Sequence, residues 1–372
     1  MKTINLRLSE LRKRKKTTQQ EVADAIGVSY QTVSKWETQA SMPDITVLPE
    51  LAEYFGVTTD QLLGLKPLDG EVYAPEMSGT REYWGNRIDY LARTRDSFWN
   101  VDYLEFLIQK VWKIDQPVNV LDCGCGIGKL GLLMMPLLPE GSTYTGIDFS
   151  ENLIEYGKKL FVGQNLNAAL RCTNVYDYPA KNKYDLVICQ AVLRHLDTPI
   201  RFLEKMIEFG NSGALIVCVD VNREFENNGL YVDGMDYEEL CRHEGLQKKW
   251  QTELHMQGRD YASGIRIAHH MRKLGLEKIE VRVQDKAEFI SPQLEDYEEQ
   301  KQNFLAYNGW DAKLTSKDRE AVISSFLARG ASRKEAEEYC DRNRKITEFF
   351  AEHPDASYTF ARAMLISFGR KV

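Results

Sequence analysis

The feature that most constrains this chain is the stretch "VNVLDCGCGIGKLGLLMMPLL", residues 118–138, in which four glycines fall within the eight positions 124–131. An apolar run, a glycine-rich turn and a second apolar run with helical spacing read as strand, loop and helix. Glycines let the backbone turn tightly and bring a ligand against peptide N–H groups at a helix start. A dinucleotide fingerprint would place a glycine three residues after Gly126, but Lys129 stands there. The spacing is instead Gly124, Gly126, Gly128, preceded by the acid Asp122 and Cys123.

Downstream the same rhythm continues. "STYTGIDFS" is a second strand ending in Asp148, twenty residues after Gly128, where a carboxylate can accept both hydroxyls of a ribose. "AALRC" leads into "TNVYDY", "YDLVICQ" is a fourth strand, and "GALIVCVDVN" a fifth after the helix "PIRFLEKMIEF". Alternating strands and helices predict a right-handed, doubly wound parallel sheet whose ligand sits beyond the carboxyl ends of the strands. Asp122, Asp148, Asn174 and Gln190 all fall there, and packing gives no reason for four polar residues at four strand ends.

On "LDCGCGIG", "GIDFS", "TNVYDYP" and "YDLVICQAVLRHL", residues 117–222 resemble the Rossmann-like S-adenosylmethionine-dependent methyltransferases, with "GLEKIEVRV" and "TFARAMLISFG" as final strands. The resemblance implies that Asp122, Cys123, Gly124, Gly126 and Gly128 form the loop around the methionyl part of S-adenosyl-L-methionine. It puts Asp148 on the ribose, Phe149 against the adenine, Asn174 and Val175 on the adenine edge, and Gln190 at the methionyl end. Asn174 stands where the family often has Asp. His195, in "AVLRHLD", follows the fourth strand near the acceptor and is the candidate catalytic base; a hydrogen-bonded structural histidine is the competing explanation.

The front end belongs to a different pattern. Leu6, Leu8 and Leu11 give a first amphipathic helix ending in a basic run. "TQQE" is a capping box, Val22, Ala25 and Ile26 an apolar face, and Gly27 a helix stop. Ser29 caps "YQTVSKWET", in which Val33 and Trp36 or Glu37 point inward and Gln31, Ser34 or Lys35, and Thr38 outward. "DITVLPELAEYFG" and "TTDQLLG" supply two more helices. Periodicity alone suits a plain five-helix bundle equally well, but residues 4–64 closely resemble the Cro and phage-repressor (XRE-type) helix-turn-helix family. That resemblance implies a transcription regulator, with Gln19 near phosphate and Ser29, Gln31, Thr32, Ser34 and Lys35 at the major groove. One such module reads a half-site, so a homodimer on a short inverted repeat of double-stranded DNA is expected.

The expected organisation is an all-α helix-turn-helix bundle at 1–66, a linker at 67–80 and an α/β doubly wound domain with added helices at 81–372. Within the last, leading helices span 81–116, the cofactor core 117–222 and a charged helical insertion 292–357. The leading segment places Leu104, Leu107, Ile108 and Val111 on one face. Its three tryptophans and three tyrosines suit either packing on the following sheet or a box around the cofactor. The insertion reads as charged amphipathic helices, either a solvated decoration or dimer arm or, with "RDSFWNVDY" in front, a roof over the acceptor pocket; a roof favours a small or medium-sized metabolite as methyl acceptor.

Charge agrees with two partners. Residues 1–66 hold nine Lys/Arg against eight Asp/Glu, six of those cations within "RLSELRKRKK"; the rest holds 39 against 47. An acidic remainder argues against a second nucleic-acid groove, and "QAVLRH" lacks the motifs of DNA methyltransferases. A domain that only senses S-adenosylmethionine or a metabolite is the alternative to turnover. The seven cysteines form no CxxC pair, so reduced thiols, no metal and a cytoplasmic location are expected. No apolar run approaches the roughly 20 residues of a membrane span, and the basic N-terminus is not followed by a signal-type apolar segment.

Overall fold

The computed structural model describes residues 4, 6–65, 68, 79–95, 98–181, 183–242 and 244–372. Most of the expected linker (67 and 69–78), together with residue 66, lies outside them. The chain divides into two compact units, Met1–Ala74 and Pro75–Val372.

In the first unit α1 spans Leu8–Lys15, α2 Gln19–Ile26, α3 Tyr30–Glu37, α4 Leu48–Phe55 and α5 Thr59–Leu62. The caps are those the sequence signals: Thr18 and Glu21 form a reciprocal capping box, Ser29 Oγ accepts from Thr32 N–H at 3.2 Å, and Gly27 closes α2 at φ +75°. Leu6, Leu8, Leu11, Val22, Val33, Trp36 and Leu51 make the core. Two details differ from expectation. Ala23, not Ala25, faces inward beside Val22. The fourth helix starts at Leu48 rather than Asp44, because Pro49 lacks an N–H and fits only a first turn, while Asp44 turns the preceding chain by accepting from Thr46 N–H at 2.9 Å.

The second unit opens with α6 (Arg81–Gly85), α7 (Ile88–Thr94) and α8 (Val101–Phe106), the last continuing into a π turn at Leu107–Val111. Then come β1 (Asn119–Cys123), α9 (Lys129–Met134), β2 (Thr143–Asp148), α10 (Glu151–Phe161), β3 (Ala168–Cys172), β4 (Tyr184–Gln190), α11 (Pro199–Phe209) and β5 (Gly210–Asp220). After these run α12 (Arg223–Asn227), β6 (Leu230–Val232), α13 (Tyr237–Leu240), α14 (Glu244–Gln257), α15 (Ser263–Lys273), β7 (Glu277–Val283) and β8 (Ala287–Ile290). The chain ends with α16 (Tyr297–Asn308), α17 (Ser316–Leu327), α18 (Arg333–Glu352), β9 (Tyr358–Ala361) and β10 (Leu365–Arg370).

Seven strands form one sheet in the order β3-β2-β1-β4-β5-β10-β7. The first five are parallel as expected, but β10 runs antiparallel to both β5 and β7. Alternate residues of each strand feed opposite faces, as a two-residue period requires. Val120, Leu186, Ile188, Leu215 and Val217 join one core with α8 and α9; Leu121, Val187, Cys189, Ile216 and Cys218 join the other with α11 and α15. Leu104, Leu107 and Ile108 are fully buried in the first core. Truncating any one to Ala removes about 2–5 kcal/mol.

"TFARAMLISFG" is not one strand. Its first part is β9 in a separate antiparallel sheet, β6-β9-β8, and only the second part is β10. That small sheet carries its own core, with Phe304 of α16 stacked 4.2 Å from Tyr358. All seven cysteines are free, and Cys172 is exposed because β3 is an edge strand. Among the described residues no helix is long and apolar enough to cross a membrane, and no His, Cys, Asp and Glu group is placed to hold a metal ion.

Candidate functional site

At the carboxyl end of β1 the chain turns through Gly124, Gly126 and Gly128, at φ +77°, +56° and +76°, a region that strains any other side chain. The amides of Gly124 and Cys125 donate to the carbonyl of Ile147 on β2, at 2.8 and 3.0 Å, which pins the loop to the neighbouring strand. Asp122 lies beneath it, 3% exposed, and accepts from the Tyr144 hydroxyl at 2.7 Å. The Tyr144 ring reaches it only because residue 131 is glycine: a Cβ there would stand 2.4 Å from the ring. Burial pushes the Asp122 carboxyl up to about 7, with the Tyr144 bond opposing and the Asp148 charge adding.

Asp148 closes the other side. One carboxylate oxygen accepts from Gly126 N–H at 2.9 Å and the other from Ser150 N–H at 2.9 Å. Burial raises its pKa, and those two amides with that of Phe149 pull it back. Asn174, beyond β3, accepts from Tyr176 N–H at 3.0 Å, and Gln190, at the end of β4, accepts from Trp99 Nε1 at 2.6 Å.

These strand ends surround a cavity of about 270 Å³, near the lower bound of small-molecule pockets. Of the residues singled out from sequence, Asp122, Gly124, Gly126, Asp148, Phe149, Asn174, Val175, Gln190 and His195 line it. Two do not. Cys123 is fully buried on the α11 side of the sheet. Gly128 is the cap of α9, where a Cβ would press within 2.8 Å of Phe161, so its role is the fit of helix to core. At Gly126 the reverse holds: a Cβ would meet only Leu91 Cδ1, at 3.9 Å, and a longer side chain would enter the cavity.

The opposite wall comes from the leading segment, whose part "RDSFWNVDY" is expected to help roof the acceptor pocket. Trp84, Leu91 and Arg95 line the cavity, and Tyr90 of α7 stacks on Tyr307 of α16 at 6.2 Å. The signal was present as an Arg and aromatic residues in one short segment, but the turn that aims them at the loop is tertiary.

His195 is held on both sides. Its ring meets Trp84 edge-on at 5.1 Å, and its Nε2 accepts from Arg194 Nε at 3.0 Å. That bond places the ring proton on Nδ1. Burial, then Arg194, Arg259, Arg223 and Arg95, drive its pKa well below the usual value. The imidazole is therefore neutral, but an imidazolium formed by proton uptake would face four guanidiniums. This geometry suits a donor or a positioning group better than a base.

In the first unit Gln31 and Lys35 are exposed on α3, Ser34 and Thr32 are half-buried, and Tyr30, not singled out from sequence, is exposed beside them. Ser29 is engaged in its cap and in a 2.8 Å hydroxyl contact with Thr32. Gln19 donates to Glu37 at 2.7 Å, and Arg12 pairs with the same carboxylate, so Glu37 ties α1, α2 and α3 together. Burial works to raise the Glu37 carboxyl, but the Arg12 and Gln19 bonds outweigh it and hold its pKa below the ordinary value.

Comparison with known proteins matches residues 8–62 to the helix-turn-helix family model and residues 114–258 to a methyltransferase domain. The ubiquinone biosynthesis O-methyltransferase of Coxiella burnetii is 30% identical over 121 residues, 32% of this chain and 50% of that protein. Its counterpart in Bradyrhizobium diazoefficiens is 29% identical over 120 residues, 32% and 46%. The chain thus spans about half the length of these relatives. Among solved structures, phosphoethanolamine N-methyltransferase 2 of Haemonchus contortus aligns at a TM-score of 0.43 with 13% identity, covering 79% of this chain and 59% of that one. A plantazolicin methyltransferase aligns at 0.43 with 18% identity, covering 79% and 95%. Likeness this distant does not bear on chemistry. The chain joins a helix-turn-helix domain to a methyltransferase domain.

Proposed function

We propose that the second unit transfers a methyl group from S-adenosyl-L-methionine to a small or medium-sized metabolite, and that the first binds DNA as a transcription regulator. The observation that carries the enzymatic reading is Asp148, a buried carboxylate at the end of β2 facing a cavity across from the glycine loop. A carboxylate has about four lone-pair sites. The amides of Gly126, Ser150 and Phe149 engage the inner side of Asp148, and the lone-pair capacity that remains faces the cavity, where a ribose hydroxyl could donate to it. Glycine at 126 keeps space open beside it. The residues present therefore fit the cofactor.

When bound, that cofactor supplies an electrophilic methyl on a sulfonium. Asp148 would hold the ribose, Phe149, Asn174 and Val175 the adenine, and Asp122, Gly124 and Gly126 the methionyl end. Gln190, fixed by Trp99, would stand beside the reacting methyl. The protein's task is then to align the acceptor and exclude water. His195, held by Arg194 and Trp84, would help position the acceptor.

In the first unit Gln31 and Lys35 would reach the major groove first, with Ser29, Thr32, Ser34 and Gln19 near phosphate or supporting the helix. A homodimer on a short inverted repeat is the expected form, in the cytoplasm. The domain limits we adopt are 1–66, 67–80 and 81–372.

Calorimetry with S-adenosylmethionine tests the core of this reading. Wild type should bind, and Asp148→Ala and Asp148→Asn should each bind at least tenfold more weakly, as loss of a hydrogen bond to a charged group (about 1.5–3 kcal/mol) requires. Equal affinity would remove the ribose assignment.

A further inference from the structure

Resting on the methyltransferase reading, we propose that the methyl acceptor is an anion, and that the guanidinium of Arg95 binds its carboxylate or phosphate group. Arg95 follows the last residue of α7 and lines the cavity alongside Trp84, Gln190 and His195. Its guanidinium lies 4.4 Å over the Phe98 ring, and its Nη1 makes one long bond, 3.4 Å, to the Thr94 hydroxyl. Among the described residues no carboxylate stands within ion-pair distance of it.

Other arginines of this unit pair with carboxylates. Arg223 pairs with Glu226, Arg259 and Arg329 share Glu253, Arg266 pairs with Asp260, and Arg362 lies 3.9 Å from Glu288. Burial lowers the pKa of Arg95, Tyr90 and Tyr307 act to raise it, and the nearby cations Arg194 and Arg362 lower it further. Around this end of the cavity stand Arg95, Arg194, Arg223 and Arg362 against Glu226, Asp220 and Glu288, and Glu226 is further engaged by Tyr307 at 2.5 Å. Among the described residues of this group guanidiniums outnumber carboxylates. A cation withdrawn from water without a counter-charge is destabilising, and a ligand anion removes that penalty on binding.

The source of the anion follows from which segments build this end. Trp84, Leu91 and Arg95, which line it, come from α6, α7 and the residue after α7, all outside residues 114–258, which match the methyltransferase model. A cofactor shared by many enzymes is held by what they share; the added segments face what differs, the acceptor.

The test uses the full chain saturated with S-adenosylhomocysteine, titrated calorimetrically with benzoate, with inorganic phosphate and with the neutral isostere benzamide. Wild type should bind benzoate or phosphate at least tenfold more tightly than benzamide. Arg95→Met should lose at least tenfold in anion affinity, and Arg95→Lys should restore part of it, while both keep the wild-type melting profile and affinity for S-adenosylhomocysteine. The proposal is overturned if neither anion binds the loaded wild type, or if Arg95→Met binds them equally. It is also overturned if Arg95→Met weakens S-adenosylhomocysteine but leaves methylthioadenosine, which lacks the amino-acid carboxylate, unchanged; the guanidinium would then hold the cofactor. A wild type that binds no S-adenosylhomocysteine fails at the earlier reading, and this one falls with it.

Discussion

Helix α3 of the first unit and the glycine loop of the second put their polar groups to opposite use. On α3 the inward residues, Val33 and Trp36, are apolar, and the polar ones, Gln31 and Lys35, are exposed. At the loop the polar residues are the buried ones: Asp122 and Asp148 are 3% and 6% exposed. A carboxylate in each unit reports its surroundings. Glu37 has a guanidinium and an amide as partners, and its pKa falls; Asp122 has a phenol, and its pKa rises. A surface made for a polyanion can be built on any stable bundle, whereas an enclosed site must carry unfavourable buried charge until its ligand arrives.

The two carboxylates give the largest expected effect. An acid whose folded pKa exceeds its unfolded value binds its proton more tightly when folded. Asp122 therefore leaves the second unit most stable below its ordinary 3.8 and progressively less so up to about 7. At about 1.36 kcal/mol per unit the loss approaches about 4 kcal/mol, and Asp122→Asn should abolish that slope in urea unfolding between pH 4 and 8. Glu37 has the opposite sign: its contribution is present above the ordinary 4.5 and is lost as pH falls below it. The first unit should lose stability toward acid, and Glu37→Gln should flatten that limb. Parallel pH profiles for the two units would break the comparison.

A smaller effect separates the cores. Gly131→Val drives a side chain into the Tyr144 ring, and we expect about 3 kcal/mol of destabilisation confined to the second unit. An unchanged unfolding midpoint would mean that Tyr144 leaves Asp122 at little cost. The smallest effect sharpens the surface half: Lys35→Ala should leave the melting temperature within a degree or two, weaken DNA binding several-fold and lower the salt slope by about one. Unaltered binding by fluorescence anisotropy would remove Lys35 from the interface.

How much could be read in advance divides along the same line. Thr18 with Glu21, Ser29, Gly27, and Val33 with Trp36 act within one or two turns of their own helix, so these caps and the face of α3 were legible, whereas the inward Ala23 and the start of α4 at Leu48 were not. The strand ends were legible too, because alternating strands and helices leave one sheet arrangement. The neutral, arginine-bound state of His195, the burial of Cys123 and the division of residues 359–369 between two sheets were not. Each depends on packing against segments distant in the chain or on an edge that only strand order defines.

The amino-acid order by itself determined two folding units, the capped helices of the first, and the glycine loop with its acids at the ends of β1 and β2. These follow from backbone freedom, periodicity and capping, which act locally. Only the tertiary structure decided that Trp84, Leu91 and Arg95 close the cavity, that Gln190 is held by Trp99, and that guanidiniums gather beside it. Desolvation and Coulomb forces depend on distance in space rather than along the chain, so no spacing rule could have placed them.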